Sequence, residues 1–245
     1  MSEKPTFGLV HGSWHGAWCW TYLQKELDNF GYDSIAMDLP IDDPGANFDD
    51  YARVVADELE GIDDVILVGH SRAGNVIPRV ANGASVRKLI YLCGTFEPAT
   101  INELKYSKTI PPKNFSWFTE GVIDIGSELT VMDDKMARDL FYPDCSSDVT
   151  EWAISKLRPQ RRSAIEPKLE NWPEVDQEYI LARADKVVNP AWSRFVAFLI
   201  QNVPTATFWH KKRQKKSWLL LRFYLSTGGL GQVLGKGVYN IYGYA

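Results

Sequence analysis

The chain has 245 residues, 45% of them hydrophobic, and a formal net charge of −4. That length fits one large α/β domain or two small ones with ample core material, and the weak negative charge argues against nucleic-acid binding across the surface. Three widely spaced cysteines (Cys19, Cys93, Cys145) argue against a disulfide scaffold and suit a reducing compartment. The first six residues lack the apolar core of a signal peptide, and no run of about 18 apolar residues occurs, so the expectation is a cytoplasmic protein without a membrane partner.

In chain order, residues 7–10 read as a short apolar strand. The loop His11-Gly12-Ser13-Trp14-His15-Gly16 follows. A glycine-bearing loop after a strand can turn backbone N–H groups into a cavity, which is how an oxyanion hole is built. Residues 18–30 then read as a helix stopped by Gly31, and 33–37 as a strand. Residues 48–59 form an amphipathic helix with Tyr51, Val54, Val55 and Leu59 on one face, capped by Asn47 or Asp49.

Val65-Ile66-Leu67-Val68 is four apolar residues in a row, three of them β-branched, the mark of a strand buried on both faces. Gly69-His70-Ser71-Arg72-Ala73-Gly74 comes next, and a helix over 75–82 after it. This is the strand–turn–helix context of a nucleophile elbow, in which residues flanking the serine must be small. Ala73 stands where glycine is usual and is still small. Residues 86–93 supply the next buried strand. Strand and helix alternate to this point, which predicts a parallel sheet covered on both faces.

From about 95 to 173 the alternation breaks. The segment is rich in Pro, Ser, Trp and Phe, with helical stretches at 132–141 and 150–157, and reads as a helical cap inserted over the sheet. Beside a catalytic elbow it would serve as lid and acyl pocket; the plain alternative is an added packing layer. Alternation returns with a strand over 177–182, the loop carrying Asp185, a helix over 191–201 and a last strand over 203–209, directly before His210. Lys211, Lys212, Arg213, Lys215 and Lys216 open an atypical basic and glycine-rich tail, about 211–245. No internal repeat occurs.

A serine hydroxyl is a weak nucleophile without a base, and the base needs an orienting acid. In the order serine, acid, histidine, only His210 of the four histidines lies downstream of Ser71, and Asp185 lies between them at a strand's carboxyl end. His11 reads as a brace for its loop, and His70 as pointing away from the nucleophile. The cysteines read as buried apolar residues.

The stretches 11–20, 65–74 and 179–192 around Asp185 resemble the α/β-hydrolase superfamily, as do Leu140-Phe141-Tyr142-Pro143-Asp144-Cys145, Trp152-Ala153 and Leu157-Arg158-Pro159. The likeness is to the branch of small bacterial esterases, salicylate-type methyl esterases and hydroxynitrile lyases, and covers about residues 5–195. It implies Ser71 as nucleophile, Asp185 as orienting acid, His210 as base, and the N–H groups of Ser13 and Arg72 as oxyanion hole. It implies a serine hydrolase cleaving a small carboxylic ester through an acyl-enzyme, with no metal or organic cofactor. Trp14, His15, Phe96, Trp117 and Phe118 are the candidate pocket walls; a homodimer is left open. In the family a glycine pair usually precedes the base, whereas Phe208-Trp209 stands here. Two other readings follow: a hydroxynitrile-lyase-like carbon–carbon lyase on the same triad, and a catalytically impaired binding member resting on that departure. Lyases of this branch tend to carry a threonine where Gly12 stands, which favours the esterase reading.

Overall fold

The alternation of apolar residues along the strands decides the architecture. In the computed structural model, which describes residues 4–81, 83, 85–96, 111–162, 167–169 and 171–201, β1 (Thr6–Val10), β2 (Ser34–Met37), β3 (Val65–His70) and β4 (Val86–Leu92) come first. β3 sends Val65 and Leu67 to one face of the sheet and Ile66 and Val68 to the other; β4 divides Leu89 and Tyr91 from Ile90 and Leu92 in the same way. Both faces must therefore be covered.

The first face is covered by α2 (Phe48–Glu58) and α3 (Ile77–Ala81), with Phe48, Tyr51, Val55, Ile77 and Val80 fully or nearly fully buried. α2 starts where the sequence supplies a capping box: the Asn47 side chain accepts from the N–H groups of Asp49 (2.7 Å) and Asp50 (3.3 Å), and Asp50 accepts from the Asn47 N–H (2.9 Å). Of the two expected caps, Asn47 is the one used. The second face is covered by α1 (Thr21–Asn29), which a 3₁₀ turn over Ala17–Trp20 precedes. Gly31, at φ +69°, lets the chain leave α1 through paired bonds from Gly31 N–H to Asp28 O and from Tyr32 N–H to Leu27 O.

Between β4 and the next strand of the main sheet lies the insertion. It holds α4 (Ser116–Glu120), β5 (Val122–Gly126), β6 (Leu129–Met132), α5 (Asp134–Leu140), α6 (Ser147–Ile154) and β7 (Gln160–Arg161). The sequence predicts only helices here. Instead β5, β6 and β7 form a small antiparallel sheet. Met132, Ala137, Tyr142 and Ala153 bury themselves against the second face of the main sheet.

β8 (Asp176–Ile180) then pairs in parallel with β4, giving the order β2-β1-β3-β4-β8, and α7 (Pro190–Gln201) returns to the first face through Trp192, Val196, Leu199 and Ile200. The expected last strand over 203–209, His210 and the tail lie outside the described residues. Among the described residues no helix is long and apolar enough to cross a membrane.

Candidate active site

In a parallel sheet the loops leaving the carboxyl ends of the strands converge on one rim. Here that rim carries Gly12 and Ser13 after β1, Ser71 after β3, Cys93 after β4 and Asp185 after β8.

The turn after β3 is sterically over-determined. Ser71 sits at φ +51°, in the left-handed region, which costs a non-glycine residue on the order of 1 kcal/mol. A 3₁₀ turn starts at once, over Ser71–Asn75. A β-carbon on Gly69 would lie 2.9 Å from Ile77 Cγ2 and 3.0 Å from the Ala73 carbonyl oxygen; one on Gly74 would lie 2.7 Å from the Thr95 oxygen. One on Gly12 would lie 2.9 Å from Ser71 Cβ, so the loop after β1 rests directly on the serine. Hydrogen bonds lock the turn to the β4 exit. Thr95 N–H donates to Ser71 O (2.7 Å), and the fully buried Asn75 donates from Nδ2 to Arg72 O (3.1 Å) and Thr95 O (3.0 Å). Sequence reasoning misses Asn75 and Thr95; an asparagine one turn after the candidate nucleophile is the available signal.

The loop after β1 is held by imidazoles. His11 Nε2 accepts from Leu39 N–H (3.0 Å), so its proton is on Nδ1, which donates to Gly12 O (2.8 Å). His15 Nδ1 donates to Ser13 O (2.7 Å), and its Nε2 accepts from the Tyr142 hydroxyl (2.8 Å). The Ser13 N–H has no intramolecular partner among the described residues. Burial pulls the pKa of His11 and of His15 down to about 4, and that of His70, whose ring meets Trp20 edge-on, down to about 3. All three are neutral at pH 7. His11 is thus the loop brace expected of it, and His15, expected in the pocket wall, is a second brace.

Asp185 is held electrostatically. Its Oδ1 accepts from the N–H groups of Val187 (2.8 Å) and Val188 (2.9 Å), and it accepts from the Cys93 thiol. Burial raises the Asp185 pKa, and these three donors oppose the rise. The Cys93 thiol is pushed up to about 12, first by burial and then by the neighbouring carboxylate, so it stays a donor rather than a nucleophile. Lys186, beside Asp185, is tied to the insertion by Trp117 Nε1 donating to its carbonyl (3.1 Å).

The five expected pocket residues do not form one wall. Trp14 packs against Phe118 (ring centroids 5.8 Å apart) and Phe141 (6.3 Å), with His15 against Phe141 (5.5 Å). Trp117 turns outward, 44% exposed and stacked on Phe115 at 4.3 Å. Phe96 belongs to the other side of the sheet, 1% exposed among Tyr91, Trp172 and Trp192. The preceding Thr95 is pinned to the elbow by both its N–H and its carbonyl, and the chain beyond it delivers Phe96 into the opposite core. A cleft of about 470 Å³ among Arg138, Asp139, Glu151 and Lys186 is lined by none of Ser13, Ser71 and Asp185.

A serine held in the left-handed region behind a glycine-packed turn, a glycine loop resting on it and a part-buried carboxylate two strands away meet at this rim. A model of the alpha/beta hydrolase family matches residues 9–210. The chain belongs to the alpha/beta hydrolase family. Among curated relatives it is similar to Methylesterase 2 of Arabidopsis thaliana, 25% identical over 249 residues, covering 83% of this chain and 87% of that one. It is also similar to an alpha-hydroxynitrile lyase of Arabidopsis thaliana, 25% identical over 228 residues, covering 82% and 86%. Among solved structures, a methylesterase from Arabidopsis superimposes with a TM-score of 0.61 at 25% identity, covering 82% of this chain and 86% of that one. The alpha/beta hydrolase described here is thus an enzyme of the hydrolase class, and ester hydrolysis in general is the activity its relatives support.

Proposed function

We propose that the chain is a serine esterase in which Ser71 attacks a small carboxylic ester and forms an acyl-enzyme. His210 takes the Ser71 proton, protonates the leaving alcohol and then activates the water that releases the acyl group. Asp185 orients and stabilises the imidazolium. The N–H groups of Ser13 and Arg72 receive the oxyanion, each worth about 3 kcal/mol in the transition state. The observation carrying this reading is Ser71 at φ +51° at the carboxyl end of β3, with Gly12 against its β-carbon.

The strands before Ser71 and Asp185 are separated by β4, a backbone gap of about 10 Å. An imidazole between them is what the chemistry requires, and the family match runs to residue 210, taking in His210. Trp14 and Phe118 suit an apolar or aromatic acyl group.

One relative is named a hydroxynitrile lyase, which keeps carbon–carbon cleavage as the second reading. Gly12 weighs against it, because hydrogen alone fits between that backbone and Ser71. Hydrolysis of p-nitrophenyl acetate by the full chain, beside Ser71→Ala and His210→Ala, is the test. Ser71-dependent turnover with at least a thousandfold loss in both variants is expected. Cyanide release from mandelonitrile with no ester turnover would replace the esterase reading by the lyase one.

A further inference from the structure

Three hydrogen bonds fasten the insertion to the loop that carries Ser13. Tyr142, just after α5, donates to His15 Nε2 (2.8 Å); Arg158 N–H, just before β7, donates to Trp14 O (2.8 Å); and Trp14 Nε1 donates to Thr130 Oγ1 on β6 (3.4 Å). All three converge on residues 14 and 15, and Trp14 is itself in the left-handed region at φ +59°. A bulky residue stays in that region only where its surroundings hold it there.

The two peptide planes flanking Ser13 are each fixed through their carbonyls. His11 holds Gly12 O at 2.8 Å and His15 holds Ser13 O at 2.7 Å. A trans peptide points its N–H opposite to its C=O. The Ser13 N–H therefore faces away from the His11 ring. His11 is anchored to the main domain through Leu39, whereas His15 is anchored to the insertion through Tyr142. Both members of the His15–Tyr142 pair are buried, at 2% and 1% exposure. Burial also pushes the Tyr142 hydroxyl upward, so it remains a donor.

We propose that His15 and Tyr142 are positioning residues through which the seating of the insertion sets the oxyanion hole. The inference rests on the esterase reading, in which the Ser13 N–H receives the oxyanion. Its consequence is that the pair governs the chemical step and not substrate affinity. A merely structural pair would lower the melting temperature and leave kcat per folded molecule unchanged.

Three variants separate the halves of the path. Tyr142→Phe keeps the ring and removes the donor. His15→Asn keeps an N–H near the Nδ1 position, able to reach Ser13 O, and gives up Tyr142. His15→Gln keeps a group near the Nε2 position and gives up Ser13 O. Kinetics with p-nitrophenyl acetate, the rate of labelling by a fluorophosphonate and a circular-dichroism melt are read on each. Tyr142→Phe and His15→Asn are expected to lower kcat about tenfold with KM within about twofold, and to slow labelling in step. His15→Gln is expected to lower kcat further, about a hundredfold. If His15→Gln does not fold, the other two carry the test.

Wild-type kcat and labelling rate in folded Tyr142→Phe and His15→Asn would overturn the inference while leaving the esterase reading intact. A loss confined to KM would overturn it as well. A folded wild-type chain that neither turns over ester nor labels at Ser71 would remove the esterase reading and this inference together.

Discussion

The turn after β3 and the loop after β8 leave the same rim of the same sheet, but they fix their side chains by different physics. Ser71 is placed by the absence of room: Gly12, Gly69 and Gly74 each face an atom closer than 3.0 Å to where a β-carbon would stand. Asp185 is placed by donors, two backbone N–H groups and one thiol, which oppose but do not cancel the rise that burial imposes on its pKa. In the proposed mechanism Ser71 must sit at a defined point relative to an incoming carbonyl, so steric confinement serves it. Asp185 in that mechanism must stay ionised while partly buried, so hydrogen bonds serve it.

The comparison breaks most sharply at Asp185→Asn. The amide oxygen still accepts from Val187 and Val188, so a melt close to wild type is expected. The negative charge is gone, and kcat for p-nitrophenyl acetate should fall about ten-thousandfold. A fall of less than tenfold would mean that Asp185 is an ordinary loop carboxylate.

Gly12→Ala probes the steric side. The new methyl must push the loop away from Ser71, and kcat should drop about a hundredfold or more through the displaced Ser13 donor. Kinetics near wild type would show that this contact has slack.

Acid tests the imidazole braces of the loop after β1, which rests on the first of the two regions. His11 and His15 bind protons near 6.5 when unfolded and only near 4 when folded. The unfolded state therefore takes up more protons between those values. Stability is fully present above about pH 6.5 and falls as the pH drops towards 4, by about 1.4 kcal/mol per unit for each histidine. Asp185, with its raised pKa, works in the opposite sense. A melting temperature that stays flat from pH 7 to 4.5 would contradict the buried neutral assignment.

The smallest effect is the most specific to Ser71. Glycine relieves the φ +51° backbone and alanine does not. Ser71→Gly should be more stable than Ser71→Ala by about 1 kcal/mol, read from denaturant midpoints. Equal midpoints would mean that the turn stores no strain.

The two regions also differ in how far they could be read from sequence. The elbow was legible because its geometry excludes side chains, and small residues at 69, 73 and 74 record that exclusion. That Asp185 lies in the loop leaving a strand was legible as well; its role in the reaction is the proposal made above. The insertion was not. Its β5–β6 hairpin turns through Ser127 and Glu128 at φ +52° and +59°, residues that carry none of the usual Asn-Gly or Asp-Gly marks. Residues 129–132 then form β6, whereas the helix expected at 132–141 starts only at Asp134, where the Asp133 side chain caps it. Phe96 is expected in the pocket as part of an aromatic-rich insertion beside the elbow; which side of the sheet a residue reaches beyond a strand's end depends on tertiary hydrogen bonds such as those of Thr95. Tyr142 and Asn75 were invisible as partners because both act across long sequence separations, 127 residues between Tyr142 and His15 and 20 between Asn75 and Thr95.

The central claim is that Ser71 is an activated nucleophile, and intact-protein mass measurement after exposure to a fluorophosphonate addresses it directly. The account predicts one adduct per chain, mapped to Ser71 by peptide analysis, formed more slowly while excess p-nitrophenyl acetate is present and absent from folded Ser71→Ala. A folded wild-type protein that takes up no adduct, or one whose adduct persists in Ser71→Ala, would contradict it.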